Sequence, residues 1–386
     1  MKKLTAQDLV QMISSVFPAL PGDRSLCILV DFPHEPQDDN QPWKERREVA
    51  FEWNQLLQNC KDELKLEEIM LIGYSSVGAN NAELPEYCFC LQDQLPQLAS
   101  DLSNMGSAIS LTEVFEKNQL FLAPTEYSTT APLKMAAPRY QFRAATMPGF
   151  SLAMIPALTI DYGIVGKRVD TISQKLTKAI RAEVSMIVDN KDTYNIIFDL
   201  RHRQGHASSG RFPKRGVAGN FPSGEAYIVP YEGENEPSQT KGILPVQFGE
   251  EVVYYEIENN VAVSVTGEGE AAEKEAALIQ KERAYANIAE LGFGVLGDFG
   301  LDPIGEILLD EKLGFHIAFG RSDHFGGQVS PECFSTPQAV VHIDRIYIPQ
   351  IQPRILVQYV KLIYSETEQE IMLQDGKFLL KAFEEL

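Results

Sequence analysis

The chain has six histidines, at positions 34, 202, 206, 316, 324 and 342. His342-Ile343-Asp344 ends the apolar run Ala339-Val340-Val341. On a strand, residues i and i+2 face the same side, so this imidazole and carboxylate project together and can bind a divalent cation. Read blandly, the pair is a strand end meeting water. His316 stands alone in the apolar run Phe315-His-Ile-Ala-Phe-Gly320. A lone histidine in such a run is more often a core residue than a ligand. A second isolated histidine strand nearby shifts the balance, because two His and one Asp already make a minimal metal set. Two glutamates extend it. Glu225 follows the turn Asn220-Phe-Pro-Ser-Gly at the mouth of a strand, where a fixed backbone lets the carboxylate project into a cleft. Glu290, in Ala289-Glu-Leu-Gly-Phe-Gly294, is expected to end an acidic helix, with Ile288, Leu291 and Phe293 pointing to burial. A buried carboxylate needs a partner, and a cation is a good one. Glu225, Glu290 and Asp344 carry three negative charges, which two divalent ions and one hydroxide would bring to neutrality.

The elements that must hold these groups fall into two stretches. Ser25–Asp31, Glu68–Tyr74 and Leu120–Pro124 read as buried strands, with helices expected over Arg46–Leu66 and Leu95–Met105. Strands alternating with helices imply a layered βαβ domain. Thr125–Pro138, with prolines at 124, 132 and 138, reads as a connecting segment. Beyond it, Val169–Ile187 is expected as a helix, since Ile172, Leu176, Ile180 and Val184 recur every fourth residue. Short strands follow at Tyr194–Leu200, Ala226–Pro230, Glu251–Ile257 and Val261–Val265, then the acidic helix Glu268–Glu290. Phe315–Phe319, Ala339–Asp344, Arg354–Gln358 and Phe378–Leu380 complete the strands. The reading is an α/β N-terminal layered domain, residues 1–135, and an α+β C-terminal metal-binding catalytic domain, residues 136–386.

Composition bounds the function. A length of 386 residues suits about two domains at roughly 100–200 residues each. With 34 basic and 54 acidic residues the net charge is −20. That argues against nucleic acid, which needs a basic face, and against an anionic membrane. The start, Met1-Lys-Lys-Leu-Thr-Ala-Gln-Asp8, lacks a signal-peptide core, and no run is long enough to span a bilayer. The five cysteines fit reduced thiols in a cytoplasmic protein; Cys88 and Cys90 alone make a weak metal motif. Gly292-Phe-Gly294 and Gly297-Asp-Phe-Gly300 lack the context of a nucleotide loop and read as tight turns around the metal site. His202 and His206 fall in the basic stretch Arg201–Arg215, read as a loop.

Taken together, Asn220-Phe-Pro-Ser-Gly-Glu225, Ala289-Glu-Leu-Gly-Phe-Gly294, Asp310-Glu-Lys-Leu-Gly-Phe-His316-Ile-Ala-Phe-Gly320 and His342-Ile-Asp344 resemble the metallo-aminopeptidases typified by aminopeptidase T and aminopeptidase S. The likeness covers about Pro138 to Asp344. It implies Glu225, Glu290, His316, His342 and Asp344 as ligands of two divalent ions (Zn, Co or Mn), a peptide substrate and a homodimer. An activated bridging water would attack the peptide, with Glu290, Glu225 or Glu232 moving the proton. Lys312 or Arg321 would steady the oxyanion or else be surface cations, and Glu311 would be a turn charge. The family's tyrosine seven residues after the first ligand histidine is replaced by Asp323, followed by His324-Phe-Gly-Gly327. A second reading rests on a resemblance to ring-opening dihydroxypyridine dioxygenases, with His316, His342 and Asp344 around one iron. A third is a binding protein on a retired scaffold, without metal.

Overall fold

The computed structural model describes residues 3–380 and Phe383. It divides into two compact units, Met1–Gly163 with Gly210–Ser223, and Ile164–Ser209 with Gly224–Leu386. The architecture is mixed α/β with three sheets among the described residues.

The first unit carries a sheet of β1 (Ser25–Phe32), β2 (Glu68–Ser75), β3 (Tyr87–Leu91), β4 (Gly106–Ser110), β5 (Leu120–Ala123), β6 (Arg143–Thr146) and, counted along the whole chain, β10 (Val217–Asn220). Its order is β10-β6-β5-β1-β2-β3-β4, parallel from β10 to β2 and antiparallel at β3 and β4. Every residue of β1 is buried; a central parallel strand is covered on both faces, which is why its sequence is continuously apolar rather than alternating. The helix expected over Arg46–Leu66 is Gln41–Gln58, started by the Asn40 side chain accepting from Trp43 N. The one expected over Leu95–Met105 shrinks to Leu102–Met105 after a single turn at Ala99–Asp101. The segment Thr125–Pro138, expected to be a connection, contains the helix Thr130–Tyr140. Pro132 lies in its first turn, where no helical N–H is needed. The boundary also moves. Residues 136–163 stay with the first unit because β6 pairs with β5.

In the second unit an antiparallel sheet runs β14-β13-β12-β8-β7-β18-β19-β20. Its strands are β7 (Arg181–Val188), β8 (Asp192–Asp199), β12 (Lys241–Phe248), β13 (Glu251–Glu258), β14 (Val261–Thr266), β18 (Ile355–Ile363), β19 (Gln369–Gln374) and β20 (Lys377–Phe378). A second sheet, order β17-β16-β15-β11-β9, is built from β9 (His206–Ser208), β11 (Glu225–Ile228), β15 (Ile288–Gly294), β16 (Phe315–Gly320) and β17 (His342–Ile346). Two expected helices end early. The first is Tyr162–Lys178, and Ala182, Val184, Met186 and Val188 alternate inward along β7. A spacing of four is also twice two, so Ile180 and Val184 kept a helical rhythm after the helix had stopped. The acidic helix is Glu270–Lys281, and Glu290 lies on β15 instead of a helix end. No described helix is long and apolar enough to cross a membrane.

Candidate metal centre

All seven residues of β15 are buried. Positions 290, 292 and 294 share one face, and the sequence there reads Glu, Gly, Gly. A Cβ on Gly292 would stand 1.9 Å from His316 Nε2, and one on Gly294 would stand 2.2 Å from the Lys312 carbonyl carbon. The glycines expected to be turns are therefore strand residues, kept bare so that an imidazole and a stretch of main chain can lie against the sheet. β11 pairs antiparallel on one side of β15 and sets Glu225 opposite Gly294. β16 pairs on the other side and sets His316 opposite Gly292. β17 follows, and the row Glu290, Ala318, Asp344 crosses three strands in register, with His342 paired to Gly320.

This register gathers all five expected ligands. His316 Nε2 is 3.3 Å from Glu290 Oε1 and 3.6 Å from Glu225 Oε2. His342 Nε2 is 3.3 Å from Glu290 Oε2 and 3.7 Å from Asp344 Oδ1. Each imidazole is oriented from behind. His316 Nδ1 lies 3.1 Å from Gly314 O, and His342 Nδ1 lies 2.8 Å from Arg321 O. A ring whose Nδ1–H donates to a carbonyl turns its Nε2 lone pair inward, as metal-binding histidines do. Here both lone pairs meet carboxylate oxygens, acceptor against acceptor, so a proton or a cation must lie between them. The protonation pattern says the same. Burial pushes His316 down, yet Glu290, then Asp344 and Glu225, hold it up at about 9. Burial also opposes the charging of His342, and Glu290 and Asp344 lift it to about 10. Burial pushes Glu290 up, but its bonds to both imidazoles keep it well below the usual carboxylate range.

Two groups of three bring ligand atoms within 4.8 Å of one another: Glu225, Glu290 and His316, and Glu290, His342 and Asp344. Among the described residues neither Cys88 nor Cys90 joins such a group. Both groups share Glu290, and the two histidines face different oxygens of it. His316, His342 and Asp344 do not form a group of their own. The residues fit a divalent ion; the pair of ions expected from the sequence has no support.

The additional candidates scatter. Lys312, which the sequence left open as a surface cation, is 2% exposed, and its Nζ donates to Glu225 Oε1 at 2.6 Å and to Glu311 Oε1. Burial would lower Lys312, but Glu225 and Glu311 raise it above its ordinary value. Burial also lifts the Glu311 carboxyl to about 7 against the pull of Lys312. Glu311 is thus a half-buried partner of Lys312 rather than a free turn charge. Arg321 and Asp323 bind each other, Nε to Oδ1 at 2.6 Å, beside the cluster. The rings of His324 and Phe325 meet His342 edge-on, with centroids 5.3 and 5.5 Å away. Tyr227 lies 4.6 Å from Phe325 and 5.2 Å from His206. His206 sits on β9 rather than in a loop. Glu232 accepts from Asn287 Nδ2 at 2.7 Å, Ser322 Oγ at 2.6 Å and the Gln328 amide. That makes it a clamp on the 322–328 segment. Sequence reasoning missed the Glu311–Lys312 pair and this aromatic run. The only signal was an acid and a base beside the apolar Leu313-Gly-Phe315.

No family model and no curated protein matches the chain. Among solved structures, the 2,5-dihydroxypyridine dioxygenase from Pseudomonas putida KT2440 is similar, with 14% identity over 98% of this chain and 99% of that one, at a TM-score of 0.60. The likeness concerns the fold, and it spans both units. It corrects the expectation of a hydrolase: the scaffold matched end to end is that of an oxygenase, and the aminopeptidase and protease readings are withdrawn.

Proposed function

We propose that this chain is a metal-dependent dioxygenase that opens an aromatic ring bearing two hydroxyl groups. It would use one ferrous ion held by Glu290, His342 and Asp344, with His316 facing the same Glu290 carboxylate. The observation that carries the reading is the end-to-end likeness to a dihydroxypyridine dioxygenase at a TM-score of 0.60. It is joined by a buried cluster of imidazole and carboxylate donors, a set that suits iron(II). The aminopeptidase-like motifs fall on the same five residues, and we read them as a shared metal-binding scaffold.

Bound ferrous iron supplies the redox chemistry by which dioxygen adds both its atoms across a ring carbon–carbon bond. The chain's own residues do the rest. Tyr227 and Phe325, 4.6 Å apart, form an aromatic wall next to His342 against which a flat ring can stack. Glu225 keeps Oε1 on Lys312, while Oε2, facing His316, is placed to take a proton from a ring hydroxyl. His316 and His342 are fixed by their backbone carbonyls, so the donor atoms stand ready before a ligand arrives.

The test is oxygen uptake. Protein loaded with iron(II) without air should consume one dioxygen per 2,5-dihydroxypyridine or related dihydroxylated ring, with loss of the ring's ultraviolet band. No uptake across a panel of such rings, with iron bound, would sink the reading.

A further inference from the structure

Lys312 is the unexpected group in this cluster. A buried ammonium is costly unless it is paired, and Lys312 is paired twice, with Glu225 and Glu311. Its position is fixed by the sheet. Gly294 lets the Lys312 main chain approach so closely that a Cβ there would be 2.2 Å away. Glu225 belongs to the ligand group Glu225, Glu290 and His316. The ammonium therefore holds one oxygen of a carboxylate that an ion in that group would need. Among the described residues, the other group, Glu290, His342 and Asp344, pairs with no lysine or arginine.

We infer that Lys312 is a built-in cation standing in the electrostatic place of a second metal ion, so that the centre accepts a single divalent ion at Glu290, His342 and Asp344. Charge counting agrees. Glu225, Glu290, Glu311 and Asp344 supply four negative charges. Lys312 and one divalent ion leave a deficit of one, which a single shared proton cancels. A second ion would leave the enclosed cluster positive and would share Glu225 with an ammonium. Without Lys312, two divalent ions balance four carboxylates. The inference rests on the metal reading above but not on the identity of the ring.

The experiment is equilibrium dialysis of the full chain against manganese(II), with metal counted by elemental analysis and the ions examined by electron paramagnetic resonance. The wild type should hold one ion per chain with the spectrum of an isolated ion. Lys312→Met should hold two, with the spectrum of a coupled pair, and Lys312→Arg should hold one. Two ions in the wild type overturn the inference, as does a single ion in folded Lys312→Met. Should Lys312→Met fail to fold, Lys312→Gln, which removes the charge but keeps a donor beside Glu225 and Glu311 and all four carboxylates, is expected to hold the same two ions; one ion there is again a refutation. A wild type that binds no ion sinks this inference and the dioxygenase together. One ion bound but no oxygen uptake sinks the dioxygenase alone.

Discussion

At the scale of single residues, the centre depends as much on missing side chains as on ligands. Gly292 leaves the space that the His316 imidazole fills. Gly292→Ala should displace that ring, at about 1–3 kcal/mol for overpacking a tight site, and lower metal content while far-ultraviolet dichroism stays unchanged; full metal occupancy in the variant would refute this. His316, His342 and Asp344 were legible as chemistry because they interrupt apolar runs. The pairing of Lys312 with Glu311 and Glu225 was not, because adjacent opposite charges look like any solvated turn; Lys312 offered itself only as an oxyanion partner or a surface cation. Elsewhere, Asp31 is a buried acid. Burial raises its carboxyl to about 6 from 3.8, against the bonds donated by Glu126 N, Tyr127 N and Trp43 Nε1. Its favourable contribution is present below the unfolded value of 3.8. As pH climbs through about 6 the unfolded chain ionises first, and up to about 3 kcal/mol of stability is lost. Urea melts of Asp31→Asn, which cannot ionise, should therefore lose less stability between pH 4 and pH 7 than those of the wild type. An equal loss in both would count against it.

At the scale of elements, strands were the readable part. Ser25–Asp31, Glu68–Tyr74 and Phe315–Phe319 lie within observed strands, because buried strands write themselves as dense β-branched and aromatic runs. Helix limits were not readable, since Ile180 and Val184 satisfy two periods at once, and prolines hid the helix Thr130–Tyr140. The pairing of β15 with β11 and β16 was also beyond sequence, because register is a property of strands far apart in the chain. Yet that register is what sets Glu225 and His316 on either flank of Glu290. Glu232 acts at this scale, tying β15's approach at Asn287 to Ser322 and Gln328. Glu232→Ala removes the acceptor shared by Asn287, Ser322, Gln328 and Arg203, at a cost of roughly 1–3 kcal/mol for each buried group left unpaired. Hydrogen exchange should then quicken across residues 322–328 while metal content holds. Unchanged exchange there would show that other contacts hold the segment.

At the scale of the whole molecule, the net charge of −20 includes the carboxylates of Glu225, Glu290 and Asp344, which lie in the candidate metal groups. The likeness to a solved dioxygenase extends along the whole chain, beyond the stretch that the motifs covered. Composition and motif order had no means of choosing between chemistries that share a donor set; the end-to-end likeness of fold is what the proposed reading adds to them. A metal that binds the folded cluster and not the unfolded chain should raise thermal stability, by about 2.7 kcal/mol when free ion exceeds its dissociation constant a hundredfold. A melting temperature that is the same with iron(II) as with chelator would contradict a built metal site.

The centre is also lopsided. The side chains of His316 and Glu290 are 1% and 4% exposed, whereas that of His342 is 20% exposed. The His342 flank is thus the more open side of the cluster, and the rings of His324 and Phe325 lie 5.3 and 5.5 Å from it. The lifetime of the metal-loaded protein in a chelator would then reflect the exposure of that flank as well as how tightly the ligands bind.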